Sequence, residues 1–65
     1  MAKPKTNAEG LALVFTKVSR PELARQLELS RQFIHKWREV PMKYLIKVER
    51  ISNVPREHIL PEIFR

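Results

Sequence analysis

Ser19-Arg20-Pro21-Glu22 marks the start of a helix more firmly than any other stretch of this chain. The serine oxygen can accept the backbone N–H of Glu22, and the Glu22 carboxylate can reach back to the Ser19 N–H, the reciprocal pattern of a capping box. Pro21 suits the first turn, where its missing N–H has no helical partner anyway. The spacing predicts a helix to about Leu27, with Leu23, Ala24 and Leu27 on one face. Glu28-Leu29 then forms a turn, and Ser30 caps a further helix over residues 31–39. Pro41 ends that helix, because a residue before proline disfavours helical backbone. Residues 20–38 are therefore two short helices joined closely, and the rest of the chain has to fit around them.

On the amino side, residues 1–6 read as a disordered tail and residues 7–65 as a single domain. Asn7 is the expected cap of a first helix, with Ala8 and Glu9 in its opening turn. Gly10 costs about 1 kcal/mol in a helix relative to alanine. Over residues 11–18, Leu11, Val14, Phe15 and Val18 recur at helical spacing as a buried stripe. On the carboxyl side, Pro41 opens a fourth helix over residues 42–52. Leu45, Val48 and Ile51 face inward there, and Lys43, Lys47 and Arg50 face outward. Ser52-Asn53 interrupts it. Pro55-Arg56-Glu57 opens a short fifth helix through Leu60, and Pro61 stops that one. Glu62-Ile63-Phe64 adds a turn that tucks Ile63 or Phe64 against the core. No stretch alternates with period two. The expected fold is all-α, five short helices around one core.

A 65-residue chain buries only about 60% of its unfolded surface. It has no cysteine, so neither a disulfide nor a thiolate metal site reinforces it, and its two histidines do not suggest a ligand pair. No metal, cofactor or small-molecule ligand is expected. Thirteen basic against seven acidic residues give a formal charge of +6, which favours a polyanionic partner such as nucleic acid or an acidic membrane surface. No apolar run reaches the roughly 20 residues of a membrane span, and MAKPKTNAEG lacks the apolar centre of a secretory signal. A cytoplasmic location in a bacterial cell is the expectation. No paired carboxylates, nucleophile with its base, or phosphate-cradling glycine loop suggests an enzyme.

Placed on a helical wheel, Phe33, Ile34, Trp37 and Val40 share one arc of the third helix. Arg31, Gln32, His35, Lys36 and Glu39 share the other, with Arg38 at its border. Two helices joined by about three residues can form a helix-turn-helix. Such a motif needs a small residue where the helices cross, an apolar residue in the turn, a cap, and apolar residues at the fourth and seventh positions of the second helix. Ala24, Leu29, Ser30, Ile34 and Trp37 meet these demands in order. A basic, acid-free face also describes a merely solvated surface; the motif spacing weighs against that reading.

The stretch resembles the helix-turn-helix of the Cro and repressor family of lambdoid phages. The most similar branch is that of the short all-helical Cro-type regulators and the related YdaS-like bacterial antitoxins. Ala24, Leu27, Leu29-Ser30, Ile34 and Trp37 carry the resemblance, with Val40-Pro41 and Leu60-Pro61-Glu62-Ile63-Phe64, and it spans residues 8–64. One departure stands out: the family usually has glycine in the turn, where this chain has Glu28. The resemblance implies a lambda-repressor-like domain whose third helix enters the major groove, with Ser30, Arg31, Gln32, His35 and Lys36 reading bases. Their chemistry agrees. Arg31 or Lys36 can reach guanine O6 and N7, and Gln32 can pair with adenine N6 and N7. His35 can donate or accept. Phe33, at the edge of the apolar arc, either packs inside, the preferred reading, or touches a thymine methyl.

Phosphate contacts are expected to frame the base contacts, from Ser19 and Arg20 at one helix start, Lys43 and Tyr44 at another, and Arg38 beside the reading helix. His58 reads as a surface or cap residue, and Lys3 and Lys5 as part of the tail. The expected partner is double-stranded DNA, bound by a weak homodimer or a dimer formed on DNA, with residues 53–64 supplying the dimer surface. The expected function is a sequence-specific transcriptional repressor. The alternatives are a DNA-binding antitoxin with a toxin partner and a small helical protein-interaction module.

Overall fold

Thr6, not Asn7, starts the first helix. In the computed structural model, which describes residues 3–64, Thr6 Oγ1 accepts the Glu9 N–H at 3.1 Å and α1 spans Asn7–Lys17. Thr6-Asn7-Ala8-Glu9 has the same S/T-x-x-E spacing as Ser19 to Glu22, a signal the sequence offers plainly. Of the expected tail, residues 1 and 2 lie outside the described residues. Residues 3–5 are irregular, and Thr6 caps the helix. Asn7, displaced by one position, is buried. Its N–H donates to Glu62 Oε2 at 2.8 Å and its Oδ1 accepts the Glu62 N–H at 3.1 Å, clasping the two ends of the chain together.

Gly10 stands where α1 crosses α5 (Arg56–Ile59). A Cβ at Gly10 would lie 2.0 Å from the Ile59 carbonyl oxygen and 2.5 Å from that of His58. The cost of glycine in a helix is offset by this close approach.

α2 spans Arg20–Leu27, and Ser19 Oγ accepts the Glu22 N–H at 3.3 Å. The reciprocal half of the expected capping box does not form. Glu22 instead takes Arg25 Nε and a terminal guanidinium nitrogen, each at 2.8 Å, because a charged bidentate partner one turn ahead outcompetes a single backbone N–H. Glu28 closes α2 in the left-handed conformation, φ 58° and ψ 40°. The Leu29 N–H bonds the Ala24 carbonyl at 2.8 Å, as in a Schellman motif. Glu28 thus takes the glycine-like backbone itself and leaves the turn shape unchanged.

Ser30 caps α3, accepting the Phe33 N–H at 3.1 Å, but α3 spans only Arg31–His35 and stops short of Glu39. Its last bonds tighten to the i→i+3 kind, Lys36 N–H to Phe33 and Trp37 N–H to Ile34. Beyond the helix Trp37 stacks on Tyr44 and Val40 is fully buried. The helix expected over residues 42–52 also divides, into a 3₁₀ turn at Met42–Tyr44 and α4 at Leu45–Ser52. Asn53 ends α4 in a left-handed conformation, φ 62°.

The fold is all-helical, with no strand among the described residues. The buried core takes Leu11 and Val14 from α1, Leu23, Ala24 and Leu27 from α2, Ile34 from α3, and Leu45 and Val48 from α4, with Val40, Val54, Ile59 and Leu60. Phe15, Val18 and Ile51 are only half-buried against it. Ser52 goes inside instead; its hydroxyl donates to the Val48 carbonyl at 2.7 Å and accepts the Val54 N–H at 3.3 Å. Phe64, not Ile63, packs at the end of the chain. The expectation of a dimer surface at residues 53–64 rested on surplus apolar residues. Val54, Ile59 and Leu60 are consumed by the chain's own core, so that surplus reduces to an exposed Ile63.

Candidate nucleic-acid interface

Ile34 anchors α3 with 1% of its surface exposed, and the helix packs against α2. A helix fixed on one side presents the other. Ser30, Arg31, Gln32, His35 and Lys36 are all exposed. Four of them, Arg31, Gln32, His35 and Lys36, line one open groove whose opposite wall is Ser19, Arg20, Pro21 and Phe15. The structure thus brings together most of the residues expected to read bases and two of those expected to hold phosphate. Phe15 and Pro21 were not expected there. Phe15 belongs to the half-buried edge of the α1 stripe, and Arg20 sets its guanidinium 4.4 Å from the centre of its ring.

The remaining expected residues lie outside this groove. Ser30 is fixed by its bond to the Phe33 N–H, which leaves its hydroxyl proton free to donate. Arg38 and Lys43 are exposed. Tyr44 is half-buried, stacked on Trp37 with ring centres 5.8 Å apart, and Lys43 Nζ lies 5.7 Å from the Tyr44 ring centre. Phe33 completes the cluster edge-on, 6.1 Å from Trp37 and 6.3 Å from Tyr44. These three rings tie α3 to the Met42–Tyr44 turn. Trp37 Nε1 is enclosed there without a hydrogen-bond partner.

Two features set the electrostatics. The ion pairs among the described residues are Arg25 with Glu22 and Arg56 with Glu49, so Arg20, Arg31, Lys36, Arg38 and Lys43 keep their charges unpaired. The helix start at Ser19 offers fewer free N–H groups than expected, since Pro21 has none and that of Glu22 is taken by the serine. Attraction for an anion at this point comes from the Arg20 side chain. Among the described residues no group of three or more His, Cys, Asp or Glu side chains could hold a metal ion, and no helix is long and apolar enough to cross a membrane.

No protein-family profile, curated protein or solved structure matches this chain.

Proposed function

We propose that this protein is a sequence-specific DNA-binding transcriptional repressor that sets α3 in the major groove of double-stranded DNA. α2, the turn through Glu28 and α3 act as its helix-turn-helix. One observation carries the reading: the hydrogen-bonding side chains of α3 stand exposed along one groove, beside unpaired cations, while Ile34 holds the helix from behind. Ser30, Arg31, Gln32, His35 and Lys36 face base edges in this arrangement. Arg20, Arg38 and Lys43 neutralise phosphates along the flanks, with Ser19 and the Tyr44 hydroxyl at their sides. The resemblance of residues 8–64 to Cro-type regulators supports the same reading.

A five-residue helix reaches few base pairs. Two copies on a pseudo-palindrome therefore supply the specificity, with half-sites about 34 Å apart. A second reading, a DNA-binding antitoxin, draws on Met42 and Ile46. These are 56% and 45% exposed and offer an apolar surface to a toxin partner. Selection from a random double-stranded DNA pool tests the proposal. A motif repeated at one-turn spacing is the expected result; a pool that enriches no motif contradicts DNA reading under either form.

A further inference from the structure

We infer that Phe33 is a specificity-determining residue that reads the 5-methyl group of a thymine, and that the preferred half-site carries thymine at the edge of the α3 footprint. The inference rests on the DNA-reading proposal and deepens it.

Phe33 is the most exposed residue of the apolar arc: the fold buries Ile34 and Val40, half-buries Trp37 and leaves Phe33 open, against the expectation that it packs inside. Ile34, its neighbour, is 1% exposed, whereas Phe33 is 44% exposed. Its ring lies nearly perpendicular to those of Trp37 and Tyr44, with centroids 6.1 Å and 6.3 Å away, which ties it to both. It follows Gln32 directly and lies one turn before Lys36, so it borders the groove-lining face. Ile34 follows it on α3, and the cation of the next element, Lys43, lies over the neighbouring Tyr44 ring.

A phenyl at the border of a helix in the major groove meets one sizeable apolar group on the base edges, the thymine methyl. Apart from the small C5–H of cytosine, the other groups displayed there are hydrogen-bond donors and acceptors, which a phenyl ring would desolvate without replacing their bonds. The ring therefore rewards thymine and opposes a base pair that places a polar group at the same spot. Because Phe33 leans towards the Met42–Tyr44 turn, the methyl belongs at the flank of the half-site nearest Lys43.

Replacing each thymine of the selected site singly by deoxyuridine tests this, since the change removes the methyl and keeps the pairing. The unaltered protein is expected to lose about fourfold in affinity at one flanking position per half-site, the effect of withdrawing one methyl-sized apolar group. At that position Phe33→Ala is expected to bind thymine and uracil DNA equally, and Phe33→Leu to keep a reduced preference. Melting curves of both variants report on the loss of the Trp37 and Tyr44 contacts separately. Equal binding of every uracil-substituted site by the unaltered protein overturns the inference while leaving DNA reading intact, and so does an undiminished methyl preference in Phe33→Ala. Failure to select any DNA site overturns both.

Discussion

Gly10 and Glu28 show how a single residue's apparent fault can have opposite meanings. Gly10 looks like a weak helix residue, and on an open helix surface Gly→Ala gains about 1 kcal/mol. The α5 carbonyls occupy the place of its Cβ, so Gly10→Ala forces α1 and α5 apart. The expected result is a net loss on the order of 2 kcal/mol, as for other overpacked sites, read from urea or thermal melts; a stabilised variant would show that α1 and α5 do not meet so closely. Glu28 is the reverse case. It holds φ 58° without the freedom of glycine, which costs a side-chain-bearing residue about 1–2 kcal/mol. Glu28→Gly should therefore raise stability by about 1 kcal/mol, a shift of about 4–8 °C in melting temperature for a domain of this size. The resemblance singled out Glu28 as standing where glycine is usual but left its backbone conformation open; the structure gives it φ 58°. The crossing at Gly10 was not legible from the sequence, because nothing local announces which element comes near.

At the scale of elements, the caps are local chemistry and the joints between elements are not. Ser19, Ser30 and Pro55 mark helix starts within three residues of sequence, and those starts are where the structure places them, whereas Pro41 opens a 3₁₀ turn and α4 begins only at Leu45. Just past the end of α3, Trp37 stacks on Tyr44, a pairing across an intervening turn that a helical wheel drawn on one straight helix hides. The Asn7–Glu62 clasp joins residues 55 positions apart and left no trace in periodicity. α4 and α5 are joined by a similar device. The Glu49 carboxylate accepts the Arg56 N–H at 2.8 Å and pairs with its guanidinium at 3.2 Å. The backbone N–H, then the guanidinium, hold the Glu49 carboxyl below its ordinary range. A carboxyl lowered in the folded state stabilises the fold above its unfolded pKa, and that contribution fades as pH falls through the folded value. Glu49→Gln should melt below the unaltered protein at neutral pH, and the gap should narrow as pH drops below about 4. A gap that stays constant with pH would remove the joint from the ionic interactions of the fold.

Across the whole molecule, the helices divide the work. α1 and α5 close the chain, α4 supports α2, and α2 with the aromatic cluster holds α3 at the surface. The face of α3 was legible from the sequence because apolar and polar side chains separate within six residues. Its company was less so. Arg20 and Phe15 join it through the packing of α1 and α2, whereas Lys43 and Tyr44 lie outside the groove. Phe33 stays 44% exposed beside the Trp37 and Tyr44 rings, which the helical wheel of a single straight helix did not show. The claim that the exposed side of α3 reads DNA is tested most directly by binding of Gln32→Ala and His35→Ala to a site selected with the unaltered protein. Both residues are exposed and outside the core, so both variants should melt as the unaltered protein does. Gln32→Ala should lose about tenfold or more in affinity for that site, the scale of one bidentate base contact, and His35→Ala a measurable part of it. Binding by both variants equal to that of the unaltered protein would contradict the assignment of α3 to the major groove.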